Sequence, residues 1–104
     1  MIIAFDFDGV LSSIKIQALA KKSIKEGNEI WVITARREND FNKNILNPIL
    51  QRIKLSEYRV IYADEKPKIE HLKTINADLY IDNNSKEFQH INNFTNTIPV
   101  LYYE

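Results

Sequence analysis

Two carboxylates follow the first apolar run of the chain with one residue between them. Residues 1–5 are apolar, and Asp6, Asp8 and Gly9 come directly after them. Carboxylates at the carboxyl end of a parallel strand lie where open α/β sheets bind their ligands. Like charges about 4 Å apart repel each other by roughly 1–4 kcal/mol in a wet site, so a bound cation would stabilise the pair. The segment therefore predicts a cation-dependent site in which an ionised carboxylate is available as a nucleophile.

Further polar residues follow later apolar runs. Thr34 closes the run 30–33, Asp82 closes the run 79–81, and Lys66 and Lys68 stand just before a periodic apolar segment. If both runs are parallel strands of one sheet, their carboxyl ends share an edge with Asp6. The order along the chain is therefore an acidic pair, a hydroxyl, a lysine and a third acid.

Composition excludes several other chemistries. The 104 residues suit one domain, residues 1–104, that buries roughly two-thirds of its unfolded surface. There is no cysteine, which removes disulfides, zinc–thiolate sites and thiol nucleophiles, and two histidines are too few for a histidine cluster. Fourteen basic and fourteen acidic residues cancel, so no overall field favours nucleic acid or a membrane. Without an apolar segment long enough for a leader or a membrane span, a cytoplasmic location is expected.

The apolar pattern alternates between strands and helices. Most strand segments are nearly continuous apolar runs, as in strands buried on both faces of a parallel sheet. They are residues 2–5, 29–33, 59–63, 78–81 and 98–103. Helical spacing is found at Ile16–Ile24 with a stop at Gly27, at Phe41–Ile53, at Ile69–Ile75 and at Phe88–Ile91.

Three residues predict details of these helices. Pro48 should kink or split the second helix after Asn47, because proline cannot donate the backbone hydrogen bond of a helix interior. Pro67 suits the first turn of the third helix. Ser85 suits the cap of the fourth. The whole pattern, β-α-β-α-β-α-β-α-β, predicts an α/β doubly wound, five-stranded parallel sheet with helices on both faces.

The four polar segments, in this order, resemble the signature motifs of the haloacid dehalogenase-like (HAD) superfamily of aspartyl phosphohydrolases. The resemblance covers nearly the whole chain and implies a Rossmann-like core with strand order 5-4-1-2-3. It also implies that Asp6 is the nucleophile, forming an aspartyl-phosphate, and that Asp8 is the general acid/base. Thr34 matches the hydroxyl that donates to the phosphoryl group.

The resemblance leaves the motif lysine open. Lys68 stands in register with Leu72 and Ile75, whereas Lys66 precedes Pro67 as in members where Lys-Pro opens the helix. Lys68 is favoured, and the other lysine is then a surface residue.

The resemblance also implies a Mg²⁺ site. Asp6, the backbone carbonyl of Asp8 and Asp82 would be its ligands, completed by water. Many members carry a second acid near the last position, where this chain has Asn83. The amide oxygen of Asn83 can still hold a metal-bound water, and its missing charge should weaken metal affinity or shift selectivity.

Substrate contacts are expected from the loops after the first two strands. Gly9 permits positive φ or close backbone approach, and Thr34-Ala35-Arg36 resembles a form known from capless members, with Arg37 directly after it. The arginines are expected either to hold a substrate phosphate, with Lys43 extending a basic rim, or to be ordinary solvated charges. About two residues separate Leu11 from the first helix, and residues 35–58 form an ordinary crossover, so no cap domain is expected.

A bare core leaves its site open. The expected partner is therefore a large phosphomonoester such as a nucleotide or a polynucleotide end, or an oligomer whose second subunit substitutes for the cap. The leading hypothesis is a Mg²⁺-dependent phosphomonoester hydrolase. The alternatives are a non-catalytic or regulatory phosphate- or metal-binding domain of the same fold, and a receiver-type phospho-acceptor domain.

Overall fold

The computed structural model describes residues 1–103, which form a single five-stranded sheet flanked by four helices. The strands are β1 (Ile2–Phe5), β2 (Glu29–Thr34), β3 (Val60–Tyr62), β4 (Leu79–Asp82) and β5 (Ile98–Leu101). The helices are α1 (Ile14–Lys25), α2 (Asp40–Ile53), α3 (Ile69–Ile75) and α4 (Phe88–Phe94). All nine elements were predicted from the sequence, with strand ends that shift by one or two residues. None of the helices among residues 1–103 is long and apolar enough to cross a membrane.

The sheet is entirely parallel and has the order β3-β2-β1-β4-β5. The expected order 5-4-1-2-3 is the same sequence of strands read from the other edge, so this prediction is confirmed. The order reverses at β1, and the crevice beside such a switch point is where open α/β sheets bind ligands. A receiver domain has the flavodoxin-like order 2-1-3-4-5, with its third strand central. Here β3 is an edge strand, which argues against the receiver alternative.

Each face of the sheet carries its own core. Phe5, Val32 and Leu46 belong to the cluster beneath α1 and α2, whereas Ala4, Leu72 and Ile91 belong to the cluster beneath α3 and α4. Successive side chains of a strand point to opposite faces. Asp6 therefore follows Ala4 to the α3/α4 face.

The prediction that Pro48 splits its helix is wrong. Helix α2 continues without a break from Asp40 to Ile53, with Pro48 on its exposed side. Proline costs this helix one hydrogen bond, but buried Leu46, Leu50 and Ile53 hold both halves against the sheet. Packing thus outweighs the local preference.

Two predicted helix starts are also wrong by a few residues. Pro67 lies outside α3, because Lys68 is the residue that precedes its first turn. Before α4, Asn84 rather than Ser85 is the cap: its side chain accepts a hydrogen bond from the Lys86 N–H, and a short 3₁₀ turn over 85–87 leads into α4. The asparagine carbonyl makes the same kind of cap that a serine hydroxyl would have made.

The loop after β1 closes on itself within a few residues. The N–H of Leu11 donates to the carbonyl of Asp6 at 3.1 Å, and that of Ser12 donates to the carbonyl of Phe7 at 2.9 Å. Gly9 has φ +77°, a positive value that glycine adopts without steric cost. The turn leaves Asp8 and Gly9 exposed while Phe7, Val10 and Leu11 enter the core.

Candidate active site

The centre of the candidate site is a buried ion pair between β1 and the start of α3. Lys68 Nζ donates to Asp6 Oδ1 at 2.6 Å, although 62 residues separate the two in the sequence. Lys68 is only 5% exposed and Asp6 7%. Asp6 is one of the residues that line an open cleft, and its second oxygen, Oδ2, accepts no hydrogen bond from a donor within residues 1–103. One carboxylate oxygen is thus held by a cation while the other is left for a ligand.

Asp82 joins this pair from β4 through a tyrosine. Its Oδ2 lies 3.7 Å from Lys68 Nζ and accepts a hydrogen bond from the Tyr80 hydroxyl at 2.5 Å. Tyr80 also accepts a hydrogen bond from Lys68 at 2.9 Å. The hydroxyl therefore bridges cation and carboxylate, and it fixes the relative positions of Lys68 and Asp82.

Burial shifts the titration of these groups. It raises the pKa of Asp6 from 3.8 to about 6; Lys68 opposes the shift and Asp82 adds to it. Burial and the hydrogen bond to Asp82 raise the pKa of Tyr80 far above its usual 10, so the hydroxyl keeps its proton and remains a donor. Asp6 is therefore mostly ionised at neutral pH, although its burial makes the ionised form unfavourable. Such shifted pKa values are typical of functional carboxylates.

Asp8 is held by an arginine outside the buried pair. Arg36 Nε and Nη2 donate to its two carboxylate oxygens at 3.0 and 2.8 Å. Arg36 is itself fixed by Asn42 Oδ1 at 2.9 Å and lies over the ring of Phe7. The Asp8 side chain remains 57% exposed. It therefore lies at the mouth of the cleft, and a proton transfer by Asp8 would require this exposed pair to open.

Asn83 packs against the turn that contains Asp8. A Cβ placed on Gly9 would lie 2.2 Å from Asn83 Nδ2, so a larger residue there would displace this exposed amide. The contact joins the loop after β1 to the loop after β4. The positive φ of Gly9 is the stronger reason for a glycine at this position.

Thr34 does not reach the cleft. It is fully buried, and its Oγ1 accepts a hydrogen bond from the N–H of Arg36 at 3.2 Å. Along β2, Val32 belongs to the α1/α2 core, and side-chain alternation gives Thr34 the same face. Asp6 lies on the opposite face, so the hydroxyl shapes the loop after β2 in this structure rather than facing the cleft.

The cleft itself has a volume of about 440 Å³ and is polar. Of the predicted substrate and lysine residues, Ala35 and Lys66 lie on its wall together with Asp6, Asp8, Lys68, Asp82 and Asn83. Lys66 is exposed, whereas Lys68 is the lysine that contacts Asp6. Arg37 lies elsewhere and pairs with Asp64 at 3.2 Å.

The expected basic rim of Arg36, Arg37 and Lys43 stays a prediction. Each of these cations already pairs with an acid, namely Asp8, Asp64 and Glu38. Lys66 and Lys86 line the cleft instead, and neither forms an ion pair within residues 1–103. Sequence alone could not separate paired cations from free ones, because two of these pairs join residues 27 or 28 positions apart.

The donor groups of the cleft fit a hard cation. Five carboxylates face it, from Asp6, Asp8, Glu65, Asp82 and Glu87, against the three lysines 66, 68 and 86. The free Oδ2 of Asp6 and the amide of Asn83 provide the oxygen ligands that Mg²⁺ prefers. Within residues 1–103 no three histidine, cysteine or carboxylate groups converge as a metal cluster. The expected Mg²⁺ set needs only two such groups, the side chains of Asp6 and Asp82, beside the Asp8 carbonyl.

Two residues of the site were missed by sequence reasoning. One is Tyr80, which the apolar pattern marks only as part of a strand. Its spacing of two from Asp82 nevertheless places both side chains on one face of β4. Glu87 accepts a hydrogen bond from the backbone N–H of Lys68 at 2.9 Å and so joins α3 to the turn before α4. No local signal marks Glu87, because its partner lies 19 residues away.

Compared with models of protein families and with curated proteins, the sequence matches none of them.

Proposed function

We propose that this protein is a Mg²⁺-dependent phosphomonoester hydrolase that forms an aspartyl-phosphate on Asp6. The observation that supports the proposal most is the buried Asp6–Lys68 pair at 2.6 Å, whose second carboxylate oxygen is free on the wall of a polar cleft. A structural ion pair between a strand end and a helix start would need no open cleft and no second buried acid.

The first chemical step is attack of the Asp6 carboxylate on phosphorus. A P–O bond to Asp6 forms, the ester P–O bond breaks, and Asp8 gives its proton to the departing oxygen. Lys68 stabilises the negative charge that gathers on the phosphoryl oxygens. Asp8 must leave Arg36 for this step, which the exposed position of that pair permits.

Hydrolysis of the intermediate regenerates the enzyme. Asp8 takes a proton from water, water oxygen bonds to phosphorus, and the P–O bond to Asp6 breaks to release phosphate. Mg²⁺ held by Asp6, Asp82 and the Asp8 carbonyl would offset the excess of carboxylates before a phosphate dianion enters. Tyr80 acts only as a positioning residue, keeping Lys68 and Asp82 in place.

Hydrolysis of p-nitrophenyl phosphate tests the proposal. We expect turnover that EDTA abolishes and Mg²⁺ restores, and that Asp6→Asn removes without loss of the fold. Asp64→Asn, which changes an exposed acid outside the cleft, is the matched control and should retain full activity. Asp8→Asn should slow hydrolysis of the phospho-enzyme more than its formation, which phosphoaspartate trapping would detect. Equal turnover in EDTA, or full activity of Asp6→Asn, would contradict the mechanism.

A second candidate is a phosphate- or metal-binding domain without turnover. The Asp8–Arg36 pair favours it, because the proposed acid/base is already fully engaged by a guanidinium. In that case phosphate and Mg²⁺ should bind and raise the melting temperature, while no phosphomonoester is hydrolysed.

A further inference from the structure

A second groove adjoins the cleft on the α3/α4 side. It has a volume of about 700 Å³ and, unlike the cleft, its surface is mainly apolar. Its lining includes Pro67, which precedes α3, Ile69 and His71 of α3, and His90 of α4. Neither histidine belongs to the four motif segments.

Three residues line the groove and the cleft alike, namely Lys66, Lys86 and Glu87. The two spaces therefore meet at a border formed by two lysines without acid partners and one carboxylate. Glu87 uses Oε1 to hold the N–H of Lys68. Its other oxygen makes no hydrogen bond within residues 1–103.

The side chains change in type along the surface that leads from the cleft to the groove. Lys68 and a cation held by the carboxylates would suit a phosphoryl group, the two border lysines suit its negative oxygens, and the Glu87 carboxylate suits a hydroxyl donor such as those of a ribose. Beyond them, imidazole, proline and isoleucine side chains suit a flat apolar ring.

We propose that this groove binds the nucleoside part of the substrate, so that the protein acts on a nucleoside monophosphate with its phosphate beside Asp6 and its base between α3 and α4. The inference rests on the proposed function for the position of the phosphate. The apolar groove and its two free lysines are independent of that function.

Binding to the full chain carrying Asp6→Asn, which cannot turn substrate over, is the direct test. We expect adenosine 5′-monophosphate to bind about ten-fold or more tightly than ribose 5-phosphate, the range that stacking of one base provides. In NMR titrations, adenosine 5′-monophosphate should shift the imidazole signals of His71 and His90, and ribose 5-phosphate should leave them in place. Equal affinities for the two ligands would overturn the inference, and so would tighter binding of octyl phosphate, whose alkyl chain carries no ring.

His90→Ala is expected to reduce the preference for the nucleotide several-fold. Asn93→Ala changes an exposed residue on the same helix outside the groove. It is the matched control and should keep the full preference for the nucleotide. The comparison of ligands uses a chain whose groove is unchanged, so it tests the inference even if His90→Ala fails to fold.

Turnover by the wild-type chain separates the two proposals. Nucleotide binding in the groove without hydrolysis would reject the hydrolase and keep the base site. Equal hydrolysis of ribose 5-phosphate and adenosine 5′-monophosphate would keep the hydrolase and reject the base site.

Discussion

At the scale of single residues, burial separates the lysine that contacts Asp6 from the one that only faces the cleft. Lys68 is 5% exposed and holds Asp6, Tyr80 and Asp82 together, whereas Lys66 projects into solvent at the border of the cleft. A charge in a site with little water is worth more than the same charge at a wet rim. The preference for Lys68 thus acquires a physical reason beyond helical register.

Lys68→Met is therefore expected to lower kcat/KM for p-nitrophenyl phosphate by about 10²–10³-fold, the usual effect of removing one preorganised donor. Methionine keeps most of the buried volume, so the loss should come from the missing charge. Lys66→Met is the matched variant and should stay within about ten-fold of wild type, with circular dichroism confirming both folds. A larger loss at Lys66 would reverse the assignment of the two lysines.

At the scale of elements, tertiary packing decides where helices run. Helix α2 crosses Pro48 because three buried side chains on both sides of it anchor the helix to the sheet. The start of α3 is set in a similar way. The Glu87 carboxylate accepts a hydrogen bond from the Lys68 N–H, and the Lys68 side chain donates one to Asp6. Local propensity gave the number and order of helices, but contacts between distant residues set their ends.

Pro48→Ala should stabilise the protein, because it restores one helical hydrogen bond at an exposed position. Alanine is favoured over proline by about 3 kcal/mol in a helix interior; the freer unfolded chain offsets up to about 1 kcal/mol. We expect a net gain of about 2–3 kcal/mol, measured by urea denaturation.

Asn44→Ala, an exposed change earlier in the same helix, is the control for helix propensity and should gain less than Pro48→Ala. A loss of stability in Pro48→Ala would mean that the backbone around the proline has adapted to it.

At the scale of the whole molecule, the candidate site lowers the free energy of unfolding at neutral pH. Asp6 is a carboxylate with a pKa of about 6 in the folded chain against 3.8 as its usual value. Between these values the folded state holds a proton that the unfolded state has lost, so the contribution of Asp6 to stability falls as the pH rises from about 4 to above 6. At neutral pH the ionised carboxylate is therefore destabilising by about 1–3 kcal/mol.

Asp6→Asn should accordingly raise the melting temperature at pH 7.5 in EDTA, because the amide resembles the protonated acid. The gain should shrink as the pH is lowered and be nearly absent at pH 4, where wild-type Asp6 is itself largely protonated. Asp64→Asn should show no such gain. A variant that is less stable than wild type at pH 7.5 would show that the Lys68 ion pair outweighs the burial of Asp6.

The sequence by itself determined the strands, the helices and a parallel, doubly wound sheet, because continuous apolar runs, helical spacing and the right-handed crossover leave few alternatives. It also placed Asp6 and Asp82 at one edge of the sheet, since the ends of parallel strands meet there, but the strand order and the preference for Lys68 over Lys66 rested on the family resemblance. Only the tertiary structure decided which face each side chain takes and which charge it pairs with. Thr34 lies across the sheet from Asp6, Arg36 is engaged by Asp8, and Tyr80 and Glu87 enter the site, because these arrangements depend on register, burial and contacts between residues far apart in the chain.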